Sequence, residues 1–126
     1  MKKISRVSTI ISAIMLLTYI IVLISIWSRI TDTVPTHFNA AGVADSYGSK
    51  RNLAFEPVLA AFLLLFLSLM ERIPAIWNFP VAVTEENRER LYKIAMIMMG
   101  GIKVLVTALL IDVGVSGLVE GYPIWP

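Results

Sequence analysis

An all-α integral membrane fold is what the amino-acid sequence predicts: three transmembrane helices, with a long ordered extracytoplasmic loop between the first and second. Three observations lead there. Hydrophobic residues make up 57% of the 126-residue chain and charged ones 16%, against a globular norm of about 45–50% and about 25%; a soluble core of this size could not bury the excess. The apolar residues fall into three runs. Between the first two runs lies V-P-T-H-F-N-A-A-G-V-A-D-S-Y-G-S-K, residues 34–50, the one stretch neither greasy nor plainly a charged tail. The chain reads as a single membrane domain, residues 1–126, without repeat or low-complexity tract.

The first span covers residues 7–27. A basic lead with Lys2, Lys3 and Arg6 precedes it, and no charge occurs until Arg29. At 1.5 Å per residue the run spans roughly 30 Å, the thickness of a bilayer's hydrocarbon. A signal peptide would have a shorter apolar region and a small-residue cleavage site; here the run ends in I-W-S-R-I-T-D. The helix is therefore expected to be retained, with Trp27 as an interfacial anchor.

Residues 28–52 form the predicted extracytoplasmic loop, longer than an ordinary connector and so expected to be folded. Asn39, Gly42, Asp45 and Gly48 are turn formers, because they tolerate positive φ or bond their own backbone. A plain connector without partner is the bland alternative to a recognition loop.

The second span is predicted over 53–70. Its uncharged part, residues 57–70, covers only roughly 21 Å, short for a crossing unless Glu56 sits at the interface. Pro57 suits a first helical turn, and Glu56 there is favoured by the helix dipole. Residues 71–93 form a predicted cytoplasmic loop. Its apolar part, 73–83, is broken by Pro74 and Pro80 and should lie along the membrane surface; Thr84 is a good N-cap for the helix that follows.

The third span, 94–119, carries Lys103 and Asp112. On a helix, Gly100, Lys103, Thr107, Gly114 and Gly117 share one stripe, where small residues let another helix approach; Asp112 and Ser116 lie nearly opposite. A lysine near a helix centre costs about 2.5–3.5 kcal/mol on insertion scales. Lys103 either snorkels to the surface or has an internal partner, for which the outer loop or a carbonyl freed near Pro57 are candidates. Asp112 reads as interfacial.

Basic residues near spans stay in the cytoplasm. Lys2, Lys3 and Arg6 before the first span, with Arg72, Arg88, Arg90 and Lys93 in the second loop, outweigh Arg29, Lys50 and Arg51 in the first loop and none in the tail. The N-terminus is expected inside, the His37 loop and C-terminal tail outside.

Catalysis finds little support. There is no cysteine, hence no disulfide, thiolate site or cysteine nucleophile. One histidine cannot make a multi-histidine metal site; His37 with Asp45 could supply two ligands if the loop folds back. No catalytic residue, metal or cofactor is predicted, and no basic aromatic surface for nucleic acid exists.

The loop motif carries a resemblance. Pro35, His37, Phe38, Asn39, Gly42, Asp45, Tyr47, Gly48 and Lys50, followed by Glu56-Pro57, are similar to the N-terminal membrane domain of unknown function in SdpI-type bacterial immunity proteins. Asn87, Arg90 and Lys103 also look like family positions, while Ala44 stands where the family often has proline. Better-known members carry a second block of membrane helices, which these 126 residues lack. The resemblance implies a bacterial plasma-membrane protein that protects against a secreted toxic peptide or relays its presence, its partners being the bilayer, that peptide, another membrane protein or a second copy of itself. An accessory subunit of a transport or channel complex is the alternative, with Glu56, Lys103, Thr107 and Asp112 as intramembrane polar groups.

Overall fold

The computed structural model describes residues 2–121; Met1 and the tail 122–126, expected outside, lie beyond the described residues. Helix α1 (Lys2–Ile26) takes in the basic lead as well as the apolar run and continues through a 3-10 turn at Trp27–Arg29. Strands β1 (Thr33–Phe38) and β2 (Ala44–Ser49) follow, then a 3-10 turn at Lys50–Ala54, helix α2 (Phe55–Met70) and helix α3 (Arg88–Gly121). Helices α1 and α2, each with its adjoining 3-10 turn, and helix α3 are long and apolar enough to cross a membrane, which is compatible with a multi-pass protein. Helices α1 and α3 are parallel, with Ser8 beside Gly100 and Tyr19 beside Gly114, while α2 runs the other way, from Leu53 beside Gly117 to Glu71 beside Lys103 and Ser5; all three pack on one another.

The expected long loop of residues 28–52 is corrected: α1 and α2 are joined by a short antiparallel hairpin, and the fold is mostly rather than wholly helical. Its turn explains why. Asn39 Oδ1 accepts from the backbone of Ala41 and Val43, both at 3.0 Å, while Gly42 N donates to Asn39 O at 2.9 Å. Gly42 has φ +78°, a left-handed conformation a glycine adopts without the Cβ penalty. The ladder is irregular between Pro35 and Phe38; proline offers no N–H, and a two-stranded ribbon has only edges, where that is tolerated.

The hairpin is seated, not tethered. Ile30, Val34 and Leu53 form one buried cluster with Tyr19 and Leu23 of α1 and Leu118 of α3. Lys50 closes its base: its N–H donates to Asp32 O and its ammonium to Trp27 O, each at 2.8 Å, with the ammonium 5.0 Å from the Trp27 ring centre. Gly117 admits the hairpin against α3, since a methyl there would meet Leu53 Cδ2 at 3.2 Å and Pro35 O at 3.3 Å.

At the other end, α2 stops after sixteen residues. The Trp77 indole donates to Met70 O at 2.8 Å, satisfying one of the carbonyls that a helix end leaves open. Trp77 and Phe79 then pack on Tyr92 at ring-centre distances of 5.3 and 5.9 Å, which holds this part of the connection against the first turns of α3. Thr84 and Asn87 bond reciprocally, Thr84 N to Asn87 Oδ1 at 2.7 Å and Asn87 N to Thr84 Oγ1 at 3.3 Å, an asparagine version of the capping box.

Candidate functional site

Two polar constellations stand out, one at each end of α2. At the hairpin end, the ladder sets His37 opposite Ser46, close enough for His37 Nδ1 to lie 2.6 Å from Asp45 Oδ1, with both side chains exposed. Tyr47 is exposed as well. Among the described residues no three His, Asp or Glu side chains come close enough to hold a metal, and the His37–Asp45 pair stays at two. Beneath the hairpin lies a cavity of about 360 Å³, bounded by Pro35, His37 and Phe38, by Phe55 and Glu56 of α2, and by Val113 of α3.

Glu56 forms part of that cavity's wall. Its Oε2 is shut off from solvent and has no hydrogen-bond partner among the described residues. The Tyr19 hydroxyl is likewise enclosed and unpartnered, and lies within electrostatic reach of Glu56. Gly114 makes room for that ring: a methyl at position 114 would overlap the Tyr19 hydroxyl and lie 2.9 Å from Cζ.

The second constellation is centred on Lys103, which is 1% exposed. It does not snorkel. Neither the outer loop nor a carbonyl near Pro57 is its partner: Lys103 Nζ lies 2.8 Å from Glu71 Oε1 and donates to Thr9 Oγ1 at 2.7 Å. The Glu71 contact is ionic rather than an aligned hydrogen bond, and Glu71 Oε2 accepts from Ser5 Oγ. Thr107 is buried too and donates to the Lys103 carbonyl at 2.8 Å. Desolvating two charges is repaid only where geometry and added hydrogen bonds are good; here a threonine and a serine supply the additions. The stripe of Gly100, Lys103, Thr107, Gly114 and Gly117 is buried, and Asp112 and Ser116 are exposed.

Glu71 is the residue that sequence reasoning missed, having been placed in the cytoplasmic loop. A signal existed. A span whose uncharged part covers only roughly 21 Å sets its terminal charge within the bundle, at the level of Thr9 and Lys103. Of the expected site residues, the structure brings His37, Phe38, Asp45 and Glu56 to the hairpin end, while Lys103 and Thr107 belong to the ion-pair cluster and Asn39, Gly42, Gly48 and Lys50 shape or anchor the hairpin.

No curated protein and no solved structure matches the chain. Residues 13–61 match the family model described as a domain of unknown function, DUF1648; the match takes in most of α1, the whole hairpin and the start of α2, so it contains His37, Asp45 and Glu56 and leaves out Glu71 and Lys103.

Proposed function

We propose that this is a non-enzymatic bacterial plasma-membrane protein of immunity or sensor type, which meets a secreted toxic peptide or another membrane protein through its hairpin. In this reading the N-terminus and residues 71–93 are cytoplasmic, as the distribution of basic residues favours, and the hairpin faces out. The observation that carries it is the seating of the hairpin. Val34 is 0% exposed and belongs to a cluster with side chains from both α1 and α3, so a contact at the exposed His37, Asp45 and Tyr47 bears mechanically on the helices. The loop motif that resembles immunity proteins occupies that same element.

The alternative, an accessory subunit in which Lys103 lines a polar path, has weaker support, because the ammonium is enclosed and paired with Glu71. Deletion of the gene separates the two. Under the immunity reading, cells become sensitive to peptide-containing culture supernatants, wild-type protein restores resistance, and His37→Ala/Tyr47→Ala at equal membrane abundance does not. Loss of a solute flux with unchanged survival favours the accessory subunit instead.

A further inference from the structure

Helix α2 carries one acid at each end, Glu56 and Glu71, separated by roughly 22 Å of apolar helix. The two are treated oppositely. Glu71 is neutralised from within by Lys103, with Ser5 and Thr9 completing the shell. Glu56 takes part in none of the ion pairs among the described residues, yet its Oε2 is enclosed and unbonded. A buried carboxylate oxygen without donor or cation is costly. Among the described residues, the basic side chain lining the cavity, His37, is engaged by Asp45 at 2.6 Å, and Lys50 is turned to Trp27.

We propose that Glu56 is the anionic seat of a binding pocket for an organic cation, an alkylammonium or alkylguanidinium group, which enters beneath the hairpin and takes the place at Glu56 that Lys103 takes at Glu71. The cavity of about 360 Å³ falls at the low end of the range for small-ligand sites, about 300–1,000 Å³. Phe38 and Phe55 line it, and aromatic rings attract such cations at close range. Pro35, Leu53 and Val113 supply an apolar wall for the alkyl stem. The cation can come from a basic side chain of a peptide or from the amine of a lipid headgroup. This rests on the proposed function in that the pocket opens under the same hairpin, and it names the chemistry that the hairpin site would recognise.

The test is a titration of the full chain in bilayer discs with butylammonium, butylguanidinium and, as neutral comparator, butanol, read at labelled methyl groups of Leu53 and Val113 beside the cavity and Val81 and Val83 away from it. In phosphatidylcholine discs the two cations should shift the Leu53 and Val113 signals saturably and leave Val81 and Val83 in place, while butanol does neither. Glu56→Gln should bind about tenfold or more weakly, the loss expected when a charge-assisted hydrogen bond goes, with its remaining methyl spectrum unchanged. Val113→Phe, which narrows the cavity without touching the carboxylate, should weaken binding as well, read at Leu53. In phosphatidylethanolamine discs, an unchanged affinity assigns the site to a soluble ligand's side chain, and a several-fold weaker apparent affinity assigns it to the headgroup amine. Absence of a saturable shift in both lipids, or equal affinity in Glu56→Gln, overturns the proposal. That failure, with hairpin-dependent protection of cells intact, sinks the pocket alone; cation binding without any protection sinks the functional reading alone.

Discussion

Lys103 and Glu71 meet with 2.8 Å between Nζ and Oε1, and neither side chain reaches solvent. The lysine comes from the middle of α3 and the glutamate from the residue that ends α2, so the contact fixes how far α2 descends along α3. Removing one partner of such a pair leaves the other charge buried and unpaired, which costs about 3–5 kcal/mol, whereas replacing both by apolar groups of like shape is often neutral. Lys103→Met and Glu71→Leu should each lower thermal stability in detergent strongly, and the double variant should recover most of the loss. Additive losses in the double variant would show that the two groups act independently.

A second contact ties α1 to α3. A methyl at Gly114 would overlap the Tyr19 hydroxyl, so Gly114→Ala forces the ring or the helix to move, an overpacking penalty of about 1–3 kcal/mol. Gly101, one helix face away, has nothing within 4 Å of an added methyl; Gly101→Ala should be neutral or stabilise by up to about 1 kcal/mol through helix propensity. Thermal melts of the two variants side by side separate packing from propensity. Tyr19→Phe in the Gly114→Ala background should return part of the loss, because the oxygen making the worst overlap is gone.

How much of this could be read from residues alone depends on which signal each element carries. The helices announce themselves as apolar runs, and the stripe of small residues on α3 marks the buried face because period 3.6 survives the hydrophobic background. The hairpin has no such signal. Strand β2, Ala-Asp-Ser-Tyr-Gly-Ser, is poor in strand formers and mostly exposed, so the alternation that marks a half-buried strand never appears; Asn39 and Gly42 do make the turn, but Asp45 and Gly48, which read as turn formers too, lie inside β2, and Gly48 has no positive φ. Glu71 hides for a different reason. A charge that ends an apolar run looks like a boundary, and only the shortness of the run betrays that it lies level with Lys103.

The hairpin turn rests on two residues. Asn39→Ala removes the acceptor for Ala41 N and Val43 N and should cost about 1–2 kcal/mol at one net hydrogen bond apiece. Gly42→Ala, at φ +78°, should cost about 1 kcal/mol or more. Amide hydrogen exchange across residues 33–49 reads both: faster exchange is expected in the ladder with little change in α2 or α3. Equal protection in wild type and variants would mean that the turn contributes nothing to the order of the hairpin.

Topology can be read chemically, because the chain has no cysteine of its own. Ser46 on β2 and Glu86 before α3 are exposed, and the pairing of basic residues with the N-terminus and residues 71–93 favours those segments inside. Glu86 is the better reporter than Asn87, whose side chain builds the cap with Thr84. An impermeant maleimide added to whole cells should modify Ser46→Cys and should reach Glu86→Cys only after the membrane is permeabilised. Labelling of position 86 in intact cells with position 46 spared would invert the orientation, turn the hairpin toward the cytoplasm, and end the reading in which it meets a secreted peptide.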